Sequence, residues 1–162
     1  MATSIAYLGQ MLQNTNIQAA LATIRHTEGT SADDGYFYVF GSSPHNTLRF
    51  TGEDHPNDHQ VHNGITSTAA GAYQILHGTY DDLCKKYGFT DFTPHSQDLM
   101  CLAIFDMIGV LNAVGKGLIL QDEVMTKLSQ QWASLPYATY GQPTHTIAAV
   151  REVYTAAGGS IG

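Results

Sequence analysis

The apolar positions of this chain fall into several helix-spaced stretches and one pair of strand-like ones. Ile17, Leu21 and Ile24 recur at i, i+4 and i+7, which places them on one face of a helix. Asn14, Thr15 or Asn16 can cap its start with a side-chain oxygen, and Gly29 supplies its stop. Ahead of it, Ile5, Tyr7, Leu8, Met11 and Leu12 make residues 1–15 a candidate N-terminal extension with a leading helix of its own. Tyr36–Phe40 and Thr47–Thr51 are rich in aromatic and β-branched residues and are separated by Gly, Ser, Pro and Asn, so a β-hairpin lobe is predicted over 36–51. Residues 52–64 are polar and irregular, as a surface loop would be.

Helical spacing resumes after Ser67 and Thr68, through Tyr73, Ile75, Tyr80, Leu83 and Cys84, and Gly88 ends it. Thr93-Pro94 then reads as an N-cap followed by proline in the first turn, opening an apolar helix through Leu99, Leu102, Ile104, Phe105 and Ile108. That helix is the expected centre of the core. Further helices are predicted from about Leu120 to Trp132 and from Thr144 to Ala157, with a loop over 133–143 and a stop at Gly158-Gly159. The fold class predicted is α+β, a mainly helical domain with one small antiparallel sheet. No linker or repeat divides the 162 residues, so residues 1–162 are expected to form one domain.

Composition narrows the function. Seven basic against 14 acidic residues give a formal charge of -7, which offers no electrostatic footprint for nucleic acid or an anionic membrane. The ligand is therefore expected to bind through local contacts in a shaped groove. The first 25 residues lack the pattern of a secretory signal, and no window approaches the ~18 apolar residues of a membrane span. Synthesis as a soluble cytoplasmic chain is the expectation. Cys84 and Cys101 each lie among apolar residues in helical segments and are expected to be free, buried thiols. Trp132 is expected to anchor the core rather than to stack on a ligand.

Glu28 continues the stripe of Ile17, Leu21 and Ile24 by four residues, so its carboxyl leaves the helix on the inward face. Burial and the negative end of the helix dipole both disfavour its charged form. A glycosidase needs such an acid, held protonated near neutral pH. Periodicity alone leaves open an exposed terminal carboxylate or a pair with Arg25.

The blocks around Glu28 go further. Glu28-Gly29-Thr30 ends the first helix and Asp54-His55-Pro56 sits in the following loop. Residues 67–75 (STAAGAYQI) and 88–98 (GFTDFTPHSQD) come next, then residues 132–136 (WASLP) and Tyr140-Gly141-Gln142. In this order they resemble the endolysin family typified by phage lambda lysozyme. The resemblance implies a lysozyme-like fold with a substrate groove between the helical part and the β lobe. It implies a lytic transglycosylase, which cuts the MurNAc–GlcNAc bond of peptidoglycan glycan strands and leaves 1,6-anhydro ends. Glu28 would be the catalytic acid. Gln74 would reach the sugar with Tyr73 packing behind it, Thr30 would line the site, and Tyr140 and Gln142 would face them from the opposite wall. The resemblance also implies a monomer without cofactor, made in the host cytoplasm and reaching the periplasmic wall once a holin opens the membrane.

One departure stands out. The family's Gly-Tyr is followed by an aspartate, whereas Gly35-Tyr36 is followed by Phe37, with Asp33 or Asp34 upstream as possible replacements. His55, His59 and His62 form a His-x3-His-x2-His run that could hold zinc, but no HExxH-type motif accompanies it, and no metal ligand is assigned. Two rival functions remain. A hydrolytic muramidase would need a second carboxylate from Asp33, Asp34, Glu53, Asp54 or Asp58, and a glycan-binding module would need no acid at all.

Overall fold

A computed structural model of the protein describes residues 3–46, 48–138 and 144–162. The leading helix α1 (Ile5–Met11) begins at Ser4, whose hydroxyl accepts from the Tyr7 N–H, and α2 spans Thr15–Glu28. Of the three caps the sequence offers for α2, Asn14 is used: its Oδ1 accepts from the N–H groups of Asn16 and Ile17. These bonds satisfy donors that a helix start leaves without partners.

The segment read as a hairpin differs. Asp33–Phe37 forms a turn of 3-10 helix, and what remains of the pairing is one bridge between Tyr38 and Arg49 plus a Phe50 N–H to Phe37 C=O bond. Tyr38, Val39 and Phe50 are aromatic or β-branched because they are buried in the core, not because they extend a ladder. The sheet lies instead in the segment read as loop. Strands β1 (Gln60–His62) and β2 (Ile65–Ser67) pair antiparallel, with His62 opposite Ile65, around a two-residue turn of Asn63 and Gly64. Both turn residues have positive φ, 51° and 77°, as the hairpin turn that matches strand twist requires.

The next helix also starts later than its apolar pattern does. Residues 68–76 fold into a tight turn, buried from Ala69 to Tyr73 and at Ile75, and α3 occupies only His77–Tyr87. Helix α4 (Pro94–Met107) is the centre of the molecule: every residue from Leu99 to Phe105 is buried, so it has no solvent face over that stretch. Helices α1 and α3 pack on it. A short helix absent from the sequence reading, α5 (Leu111–Gly115), sits between α4 and α2, followed by α6 (Asp122–Gln131) and α7 (Ile147–Ala156), which packs along α2. Each fully buried Leu or Phe in this core stabilises the fold by about 1.5–3 kcal/mol. Cys101 is buried as expected, Cys84 only partly, and both are free thiols. No described helix is long and apolar enough to cross a membrane.

Candidate active site

Glu28 is the last residue of α2, and the chain leaves the helix there through Gly29 at φ 75°. The Gly29 N–H bonds the His26 carbonyl at 3.2 Å and the Thr30 N–H bonds the Arg25 carbonyl at 2.9 Å, so the turn beyond Glu28 is fixed. The carboxyl is directed inward, and its burial pushes the pKa from 4.5 up to about 7, while the nearby Ser134 hydroxyl pulls partly the other way. Pairing with Arg25 does not occur. The Arg25 guanidinium donates to the Thr30 carbonyl at 2.8 and 3.1 Å and to the Ala32 carbonyl at 2.9 Å, with Tyr36 stacked beneath it at 4.4 Å. It holds the loop that follows Glu28 and leaves the acid unpaired with a cation.

Glu28 opens into a hollow of about 360 Å³ whose walls include Thr30, Tyr38, Phe40, His62 and Gln74. Thr30 and Gln74, singled out from the sequence, are thus brought together with the acid. Thr30 is buried, and its hydroxyl donates to the Ala72 carbonyl, which ties the end of α2 to the 68–76 turn. Gln74 sits on that turn at φ 49°, a conformation non-glycine residues rarely adopt. Its side-chain amide donates to the Gly71 carbonyl at 2.9 Å, and the paired N–H and C=O groups of Ala70 and Ile75 close the turn. Strain of this kind persists only where the surroundings over-determine it.

Gln97 of α4 does so. Buried in the core, it accepts from the Ala72 N–H at 2.9 Å through Oε1, while Nε2 donates to the Tyr36 and Phe92 carbonyls, each at 3.0 Å. His55 secures the other edge. It is buried, bonded to the Ile75 carbonyl through Nε2 at 2.7 Å, and accepts from the Asn57 N–H at Nδ1. Burial lowers its pKa, so it is a neutral imidazole serving as a strut.

Tyr73 points away from the hollow, with its hydroxyl donating to Asp98 at 2.6 Å; Tyr36 donates to the same carboxylate oxygen at 2.9 Å. The Tyr73 backbone carbonyl accepts from the Trp132 indole N–H at 2.9 Å, and Trp132 packs edge-on against Phe105 as a core anchor. Tyr140 and Gln142 lie outside the described residues. Phe37, at the place of the family's aspartate, packs on Phe50, and Asp34 is engaged with Arg49 at 2.7 Å in a different surface hollow. The three histidines of the 52–64 segment are dispersed: His55 is a strut, His62 faces the hollow, and His59 is exposed. Among the described residues no three His, Cys, Asp or Glu side chains converge as metal ligands would.

Two members of this arrangement escaped sequence reasoning. Gln97 had only its place in the 88–98 block, between Ser96 and Asp98 in the polar start of α4. Ser134 had no signal beyond its place in the 132–136 block.

The comparisons with known proteins agree with this geometry. The endolysin family profile matches residues 18–161. The endolysin of Escherichia phage lambda is 33% identical over 155 residues, spanning 91% of this chain and 94% of its own length. That of Escherichia phage P2 is 32% identical over 156 residues, spanning 89% and 93%. Among solved structures, bacteriophage lambda lysozyme complexed with a chitohexasaccharide superposes with a TM-score of 0.81 at 31% identity, over 92% of this chain and 97% of that one. The fold is therefore the α+β, lysozyme-like one that the sequence blocks implied.

Proposed function

The chain belongs to the endolysin family, peptidoglycan-degrading lysis enzymes of the lambda lysozyme type, and from that premise we propose that it cuts glycan strands as a lytic transglycosylase. The observation that carries this reading is the carboxylate inventory of the hollow: among its described lining residues, Glu28 is the only acid. Hydrolysis with a paired base or nucleophile needs a second carboxylate across the sugar. Intramolecular attack needs only one group that gives a proton and takes one back.

Glu28 protonates the oxygen bridging MurNAc and GlcNAc. The bond from that oxygen to the muramic acid anomeric carbon breaks, and positive charge develops at that carbon. The same residue, now a carboxylate, takes the proton of the sugar's 6-hydroxyl as O6 attacks the anomeric carbon. A 1,6-anhydro ring closes, Glu28 is an acid again, and no water is consumed. A pKa near 7 suits both halves of the cycle, because neither protonation state is far out of reach at neutral pH.

Gln74 hydrogen-bonds the sugar beside the scissile bond, Thr30 shapes the floor, and Tyr73 supports Gln74 from behind, with Tyr140 and Gln142 as further sugar-binding residues. The oligosaccharide bound to lambda lysozyme supports a glycan-filled groove in this chain too. The protein acts as a monomer, made in the host cytoplasm and reaching the wall after a holin opens the membrane. Mass spectrometry of peptidoglycan digested by the purified protein tests the chemistry. Fragments lighter by one water, with anhydro ends, are expected; reducing ends would reassign it as a muramidase, and intact glycan would make it a binding module.

A further inference from the structure

We infer that the hollow walled by Asp34, Phe37, Arg49, Phe50, Thr51 and Gly52 is a second binding site, which takes the peptide stem of the muramic acid whose bond is cut. The hollow measures about 380 Å³, and the surface it presents is almost wholly apolar. The rings of Phe37 and Phe50 meet edge-on there at 5.7 Å, and Thr51 and Gly52 leave it open to solvent. Phe37 occupies the place of the family's aspartate, so this apolar character is a property of this chain.

The occupant follows from where the hollow lies. The Arg49 guanidinium lies 4.0 Å over the centre of the Tyr38 ring and donates to the Ser43 carbonyl at 3.0 Å. Tyr38 and Ser43 both line the hollow that holds Glu28. The two hollows are therefore neighbours across a partition made of Tyr38, Ser43 and Arg49. A muramic acid seated at Glu28 carries its peptide on the lactyl group, and an extended peptide advances about 3.5 Å per residue. A stem of a few residues crosses such a partition. Its chemistry also matches. Stems combine alanine methyl groups, which an apolar floor can bury, with carboxylates and the amine of a diamino acid. At the edge of the hollow, Asp34 and Arg49 are fixed together at 2.7 Å and present one charge of each sign, with the Asp34 side chain 55% exposed. A further sugar would instead need several convergent hydrogen-bonding groups, which the floor does not offer. The inference rests on glycan cleavage at Glu28, whichever sugar end results.

Soluble, uncross-linked glycan strands test it, compared with the same strands stripped of their stems by an amidase. Burial of about two methyl groups predicts a KM about tenfold lower for the stem-bearing strands in the parent, with kcat unchanged. Phe37→Ala, which removes one ring of the floor, and Thr51→Tyr, which fills the hollow from an exposed position, should each raise KM on stem-bearing strands to the stripped value and leave KM on stripped strands as it was. Thr51→Tyr carries the test if Phe37→Ala does not fold. Equal KM values for the two substrates in the parent, a preference that survives both substitutions, or a loss of activity on both substrates alike would overturn the site. Failure of the underlying reading looks different: the parent itself would cut neither substrate, or Glu28→Gln would match it on both.

Discussion

Helix α4 and the 68–76 turn each bury most of their residues, yet they are held in place by different forces. In α4 the run Leu99–Phe105 is apolar, and its backbone hydrogen bonds are closed within the helix. In the turn, Thr30, Tyr38 and Gln97 each supply one bond from outside to a backbone group that has no ladder to join, and His55 adds a second bond to the Ile75 carbonyl. The contrast extends to the whole molecule. Helix α2 supplies the acid, which burial keeps from ionising, and the irregular lobe supplies most of the walls of the hollow it faces. A helix tolerates the loss of one contact among many, whereas a turn built from single bonds fails at each of them.

The largest effect is expected at the junction of the two regions. Glu28→Gln keeps the size of the side chain and removes the donor, so fragment release should fall about 10²–10⁴-fold. Stability should respond in the opposite direction. The carboxyl titrates at about 7 in the fold and at 4.5 otherwise, so the folded chain retains a proton that the unfolded chain releases. The stability contributed by this group is complete below pH 4.5 and is lost as pH rises through 7, by about 3 kcal/mol in all. Urea unfolding should therefore show Glu28→Gln more stable than the parent above pH 7, with a shallower pH slope. Retained activity would remove Glu28 from the chemistry, and an unchanged slope would remove the burial that explains its pKa.

Two glycines separate the regions by a smaller margin. Gly71 in the turn and Gly88 after α3 have nearly the same backbone, φ 83° and 85°. An added Cβ at Gly88 meets nothing within 4 Å, whereas at Gly71 it falls 2.3 Å from Gln97 Oε1. Gly88→Ala should cost only the left-handed penalty, about 1 kcal/mol. Gly71→Ala should cost about 3 kcal/mol, because Gln97 must also give up its bond to the Ala72 N–H. Equal midpoints for the two variants in urea would mean that the turn is as tolerant as a helix end.

The same contrast governs what could be read in advance. Asn14 before α2 and Thr93-Pro94 before α4 are local signals acting within one turn of chain, and both elements formed where they pointed. The stripe through Ile17, Leu21 and Ile24 placed Glu28 correctly because a helix carries its period past the last apolar residue. The lobe gives no such continuity. YFYVF has the composition of a strand, but its side chains serve a core that other segments complete, and Asp33–Phe37 coils instead. Asn63-Gly64 did announce the true hairpin, yet three-residue strands are too short for alternation to be heard above the polar residues around them. Ser134 could not have been found at all. Its effect on Glu28 depends on the fold bringing two distant segments together, and that has no spelling in sequence.

The smallest effect lies at that hairpin, where adjacent residues point to opposite sides. His62 faces the hollow that holds Glu28, packed edge-on against Phe40 at 6.0 Å and against the backbone of Gly41, where an added Cβ would sit 3.0 Å from the His62 Cβ. Val61, its neighbour, is 68% exposed. If the lobe grips glycan through single polar contacts, His62→Ala should raise KM about fivefold, the worth of one ordinary hydrogen bond, and leave kcat alone because the imidazole takes no part in the proton's path. Val61→Thr should change neither constant, since it alters only a solvent-facing side chain of the same strand. Titrating purified peptidoglycan against each variant reads the difference directly. Equal KM values would mean that the hairpin does not touch the substrate, and that the lobe's share of the site ends at the 68–76 turn.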